Sequence, residues 1–425
     1  MHRPINALAR LGLVPVALAA AFAVPNARIQ QQLSSSTHSP FLGGSIFRQQ
    51  LDVNVFSAGQ DEFYIENDFH LTNDFTPPYS GIATFAHLNW TNCFVPASDE
   101  TFDIGIVGAP FDLGVTYRPG ERFGPLGARS GSRRMDPGFA YRQVTWRYQI
   151  ESPIDRIRSM DHGVNPFTDW ASVVDCGDIS NTPFDKLQAI HELEAGWTKI
   201  ASRKPQNKDK GDHVRLISIG GDHTITLPAI RALQHTWGQV AVLHFDSHLD
   251  TWDPKQLGGG LTKYSEVTHG SMLHIAHEEG LLSNDSNMHL GSRSMLFDKH
   301  YDMENDARCG FTVIRARMID DIGVDEIVRR VVETVGDNYV YVSIDIDVLD
   351  PAFTPATGTI EPGGWTTREL LRILYGLSQA GLPIIGADVV EFAPVYDNKA
   401  ETTGLAVTQI VYELLQWMIH VPVNA

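Results

Sequence analysis

From residue 102 onward, short continuous apolar runs alternate with longer stretches whose apolar positions recur every three to four residues. Phe102-Asp-Ile-Gly-Ile-Val-Gly-Ala-Pro110 reads as a first buried strand, and further strand-like runs lie near 171–176, 214–219, 239–245, 287–291, 311–315, 339–344 and 383–389. Helix-like stretches lie near 184–202, 225–236, 271–282, 323–335, 366–380 and 402–419. Strands that are apolar throughout and separated by helices predict a mostly parallel sheet with helices on both faces. A Gly/Arg-rich loop is expected from Gly114 to Arg134, and the polar segment Arg203 to Asp212 reads as an exposed connection. No internal repeat and no inter-domain linker interrupts this pattern, so residues 77–425 are expected to form a single α/β domain. Residues 24–76 carry no sustained period and read as an N-terminal arm.

Three of the strand-like runs end in side chains that suit metal ions. Val240-Ala-Val-Leu-His-Phe is followed by Asp246, His248 and Asp250, each two residues after the last. Side chains two apart in an extended chain point the same way, so the three can converge. Ile217-Ser-Ile-Gly-Gly-Asp222 leads into His223, and Val340-Tyr-Val-Ser-Ile leads into Asp345 and Asp347. Ligands of a parallel α/β sheet gather outside the carboxyl ends of its strands, where these groups sit. Oxygen and imidazole donors without thiolate suit Mn, Zn, Fe or Co. Bridging carboxylates would let six such side chains hold two ions, and a shared water would then be acidified to a pKa of roughly 7. Each pattern alone has an ordinary explanation: a chance Asp-x-His, a tight Gly-Gly turn with a solvated histidine, a strand end beside a helix cap. Their coincidence at three strand ends carries the inference.

These pieces resemble the ureohydrolase family of agmatinases, arginases and guanidinobutyrases. The likeness lies in Gly-Gly-Asp-His223, in Asp246-Ser-His248-Leu-Asp250, and in Ser343-Ile-Asp345-Ile-Asp347-Val-Leu-Asp350-Pro-Ala-Phe-Thr-Pro-Ala-Thr-Gly-Thr. Tyr79-Ser-Gly-Ile-Ala-Thr-Phe, Gly108-Ala-Pro-Phe-Asp and Arg118-Pro-Gly-Glu-Arg-Phe-Gly-Pro lean towards the agmatinase branch. The resemblance implies an arginase/deacetylase-like three-layer fold and two Mn²⁺ per chain. One ion would be held by His223, Asp246, Asp250 and Asp345, and the other by His248, Asp246, Asp345 and Asp347. Ser247 stands where the family usually has Ala, and Ile360 where Pro is common; neither change removes a ligand. The resemblance further implies that His269 serves the substrate and shuttles protons, that Glu391 accepts the guanidinium, and that Asp250 relays a proton to the leaving amine.

The expected reaction is therefore hydrolysis of a small cationic guanidino compound, foremost agmatine to putrescine and urea, with 4-guanidinobutyrate as the alternative. Thr251 to Val267 is expected to shape the choice of tail, and Lys255 and Lys263 are the two cations there that a carboxylate tail would use. The family likeness also implies a homo-oligomer, a trimer or hexamer. Two readings of other classes compete: a single-zinc deacetylase of related fold, which the number of ligands disfavours, and a non-catalytic metal- or polyamine-binding protein, which would release no urea.

Composition adds a little. A formal charge of −18 disfavours nucleic acid and anionic membranes as partners and suits a cationic small molecule. Arg3 and Arg10, then the apolar run Leu11 to Val24 with Ala21-Phe-Ala23, read as a secretory signal peptide over 1–23; a mitochondrial transit peptide is the alternative. Asn89-Trp-Thr91 and Asn284-Asp-Ser286 are sequons that secretion would expose to glycosylation. No other run is long and apolar enough to span a membrane, so none is expected in the mature form. Cys93, Cys176 and Cys309 show no metal spacing, and at least one must be unpaired within the chain.

Overall fold

A computed structural model of the chain describes residues 83–95, 100–135, 160–257 and 260–424. The expected signal peptide and all but the end of the motif at 79–85 lie outside the described residues, as does the arm over 24–76. Eight strands build one sheet: β1 (Ile104–Ala109), β2 (Val173–Asp178), β3 (Arg215–Gly220), β4 (Ala241–Phe245), β5 (Asn287–Ser292), β6 (Phe311–Arg315), β7 (Val340–Asp345) and β8 (Ile384–Val390). Their order is β2-β1-β3-β8-β7-β4-β5-β6, and every pairing is parallel.

Alternate strand residues feed two separate cores. Leu243 and Phe245 of β4, Val342 and Ile344 of β7, and Ile217 and Ile219 of β3 pack on one face. There they meet Ile327 and Val331 of a helix over Met318–Val335, Leu370 and Leu374 of one over Thr367–Gln379, and Val407 and Ile410 of one over Thr402–His420. Val240, Val242, Leu216 and Tyr341 face the other way, onto the helices Lys186–Ala201, Thr226–Trp237 and Met272–Glu278. The expected α/β sheet with helices on both faces is thus present. Among the described residues no helix is long and apolar enough to cross a membrane.

Two segments depart from the expectation. The Gly/Arg-rich loop contains a helix, Gly124–Gly131, preceded by a 3₁₀ turn at Glu121–Phe123. Its glycines conceal it, yet close packing requires one of them: a Cβ on Gly124 would lie 2.5 Å from the Gly220 carbonyl oxygen at the end of β3. Arg129 then ties the helix to β2, giving Asp175 two hydrogen bonds of 2.9 Å and Asp178 another of 2.5 Å. A second helix, Lys299–Arg308, is too polar to show an apolar period; Asp298 caps it, accepting from the His300 and Tyr301 amides at 2.9 and 3.2 Å. Cys93 is bonded to Cys176 on β2, and Cys309 is free and buried.

Candidate metal centre

The four central strands, β3, β8, β7 and β4, lie side by side, and their carboxyl ends deliver the candidate ligands. β3 runs through Gly221 and Asp222 into His223. β4 runs into Asp246, His248 and Asp250. β7 ends at Asp345 with Asp347 in the 3₁₀ turn behind it, and β8 runs into Glu391. The convergence is not simply that of an extended chain. β4 stops at Phe245, and the Asp246 carboxylate bends the next residues by accepting the His248 amide at 2.6 Å. Asp345 does the same for Asp347 at 2.8 Å. Asp250 and Glu391 take left-handed backbone conformations, φ 57° and 62°, which non-glycine residues rarely hold without a surrounding structure that imposes them.

His223 Nδ1 stands 3.0 Å from Asp246 Oδ2, 3.1 Å from Asp250 Oδ2 and 3.4 Å from Asp345 Oδ2. His248 Nδ1 stands 3.2 Å from Asp246 Oδ1 and 3.0 Å from Asp347 Oδ2. Two groupings result, sharing Asp246: one of His223, His244, Asp246 and Asp250, the other of Asp246, His248 and Asp347. The six residues expected as ligands are therefore neighbours. His244 joins them unannounced, because on β4 it reads as one more strand residue; the signal was its place two residues before Asp246, on the same side of the chain.

The donor set fits divalent cations. Asp246 Oδ2, His223 Nδ1 and His244 Nε2 are all buried, and none has a hydrogen-bond partner. Buried polar atoms left unpaired are costly, and a shared ion would satisfy all three. Burial together with Asp347 and Asp246 pushes Asp345 well above the usual carboxylate range, and burial with Asp246 brings Asp250 to about 6. A carboxylate cluster that resists full ionisation on its own is one that a cation would charge. His223 is fixed from behind: its Nε2 lies 2.7 Å from Ser343 Oγ, which donates to Asp388 Oδ1 at 2.6 Å, while Thr226 and Tyr341 hold the other oxygen at 2.8 and 2.7 Å. Such partners set the ring orientation of a metal-binding histidine.

A cavity of about 160 Å³ opens over this cluster, lined by Thr116, His248, Asp250, Trp252, His269 and Asp345 among others. Glu391 lies fully buried nearby; its Oε1 accepts the His223 amide at 2.7 Å and stands 3.0 Å from His269 Nδ1, while Oε2 has no partner. Burial works against the His269 cation, but the Glu391 charge prevails and raises it to about 9. The other nitrogen, Nε2, lies 2.8 Å from Thr116 Oγ1. Trp252 and Leu257 represent the 251–267 segment on the cavity wall. Lys255 and Lys263 are exposed, and Lys263 pairs with Glu266 at 2.9 Å.

The Arginase family model matches residues 102–416. Over 353 residues the chain is 46% identical to putative agmatinase 1 of Schizosaccharomyces pombe, covering 81% of this chain and 84% of that one. It is 34% identical over 331 residues to the agmatinase of Neisseria meningitidis, with coverage of 78% and 92%. Among solved structures, the proclavaminate amidino hydrolase of Streptomyces clavuligerus superposes with a TM-score of 0.66 at 31% identity, covering 81% of this chain and 99% of that one.

Proposed function

The chain belongs to the arginase family of hydrolases, and from that membership we propose that it cleaves agmatine to putrescine and urea at a two-metal centre. The observation that carries the reading is the pair of ligand groupings joined through Asp246 beneath a cavity bordered by His269. His223, Asp246, Asp250 and Asp345 would hold one manganese ion, and His248, Asp246, Asp345 and Asp347 the other. The pair of ions, when bound, would acidify a shared water to supply a nucleophile at neutral pH.

The chain's own residues do the rest. Glu391 offers an unpartnered, buried carboxylate oxygen, a fit for a guanidinium that has only N–H donors. Its Oε1 is pinned by the His223 amide, so the planar substrate is oriented relative to the His223 side of the centre. Asp250 is placed to carry a proton towards the leaving amine, and His269, held between Glu391 and Thr116, to exchange protons with solvent.

Charge beside the cavity favours a cationic tail. Glu361 Oε1 stands 3.9 Å from Nε2 of His248, which lines the cavity, whereas Lys255 and Lys263 are exposed and do not line it. Agmatine is preferred to 4-guanidinobutyrate on this ground. The test is urea release by the manganese-loaded protein from agmatine, 4-guanidinobutyrate and arginine in parallel. Turnover of agmatine above the others is the expected result; no urea from any of them, with two ions bound per chain, would refute the reading.

Secretion is proposed with it. The Cys93–Cys176 bond suits an oxidising compartment, and Asn89 and Asn284 are both exposed. Secreted protein should lose mass on enzymatic deglycosylation; a mitochondrial protein with intact thiols would contradict this.

A further inference from the structure

The cavity over the ligand cluster changes character from floor to rim. Asp250, Asp345 and His269 on its wall are buried, whereas Met295 and Phe297 are 90% and 72% exposed. Trp252 and Leu257 complete the apolar side. Among the described residues no Lys, Arg or Glu lines the cavity, so beyond the ligand cluster and His269 nothing charged stands on its wall.

Two chain segments build this apolar side, and both are held firmly. On one, the Arg293 and Ser294 amides donate to the Ser247 carbonyl at 2.9 and 3.0 Å. The Arg293 guanidinium adds bonds to the carbonyls of Asp347 at 2.7 Å and Glu361 at 2.5 Å. Met295 and Phe297 leave that anchor directly, and Asp298 then caps the next helix, so their backbone is fixed at both ends. On the other segment, the Trp252 amide donates to the Gly270 carbonyl at 3.1 Å. Gly270 lets this wall close in, because a Cβ there would lie 2.8 Å from Leu257 Cδ2 and 3.1 Å from Trp252 Cδ1. Tyr301 Oη donates to Asp253 Oδ2 at 2.6 Å and joins the two segments. The Phe297 ring meets Trp252 at 67°, with centroids 5.1 Å apart.

Large apolar side chains held in water beside a reaction cavity mark a surface that a ligand covers. We propose that Met295 and Phe297, backed by Trp252 and Leu257, select the substrate by covering the methylene groups of its tail. The preferred class is then guanidines with alkyl tails longer than four carbons, agmatine being the short member. The inference rests on the guanidine-hydrolysing reading above. A tail that sits alike before and during reaction lowers KM and leaves kcat alone. Each methylene brought out of water should improve kcat/KM by about 2- to 4-fold, the upper figure applying to full burial.

The test uses the manganese-loaded full chain with two series: ω-aminoalkylguanidines of four, five and six methylenes, and n-butyl- to n-hexylguanidine. Urea release and calorimetric affinity are measured for every member. Both series are expected to climb by that factor per methylene, through KM. The climb should flatten when Met295→Ala and Phe297→Ala are combined and persist when Met295→Leu and Phe297→Leu are combined. A flat wild-type series overturns the proposal, as does a climb that survives the alanine pair. An alanine pair that changes the sedimentation coefficient and leaves the climb intact would assign this face to a contact between copies, which also overturns it. Affinity that climbs without urea from any member would sink the hydrolytic reading and leave the tail surface standing. Urea release with flat affinity would do the reverse.

Discussion

Glu391→Gln separates charge from shape at the point where the guanidinium is expected to dock. The glutamine carbonyl can still accept the His223 amide, now 2.7 Å from Glu391 Oε1, so the β8 end and His223 stay in place. What is lost is the negative charge beside His269 and the unpartnered oxygen that would meet the substrate cation. Removing one partner of a buried, hydrogen-bonded charge pair costs about 2–5 kcal/mol. At about 1.4 kcal/mol per decade, kcat/KM should fall about 30- to 4,000-fold. Because the guanidinium is already charged in the ground state, most of the loss should appear in KM. The assay is urea release against agmatine concentration at saturating manganese, with bound metal measured on the same samples. A wild-type kcat/KM at full metal content would refute the role given to Glu391. Loss of metal would show instead that the residue supports the centre and not the substrate.

Two further perturbations test the frame around the site. His269 sits at about 9 in the folded chain against an ordinary 6.5, so its contribution to stability is complete below about pH 6.5 and is lost as pH rises through about 9; the melting temperature of metal-free protein should fall across that window more in wild type than in His269→Asn, and parallel profiles would contradict the Glu391 pairing. The Cys93–Cys176 bond joins residues 83 apart, and reducing it should cost about 2–4 kcal/mol, read as a lower denaturation midpoint under reductant; an unchanged midpoint would mean that the bond constrains little.

Legibility in the sequence followed the physics of each element. The sheet announced itself because parallel strands buried on both faces must be apolar at nearly every position, as β4 and β7 are. The six expected metal ligands could be found for the same reason, since polar groups just after such a run stand out, whereas His269 and Glu391 were implied by the family resemblance. Where composition and burial disagree, the pattern fails. Gly124–Gly131 folds as a helix because its small residues allow backbone contact, and Lys299–Arg308 because a side chain caps it; neither cause leaves an apolar period.

His244, His289 and Asp306 were hidden by the opposite effect. They sit inside or beneath strands where burial is expected, and a buried histidine looks like filler until its partners are known. Only the three-dimensional contacts show that His244 meets His289 through one nitrogen, that its other nitrogen lies 3.1 Å from Asp246, and that His289 meets Asp306. Sequence spacing locates groups that converge at a strand end, because strand geometry makes spacing equivalent to direction. It cannot locate buried groups that meet only in the folded chain, because their partners lie 45 and 17 positions away along it.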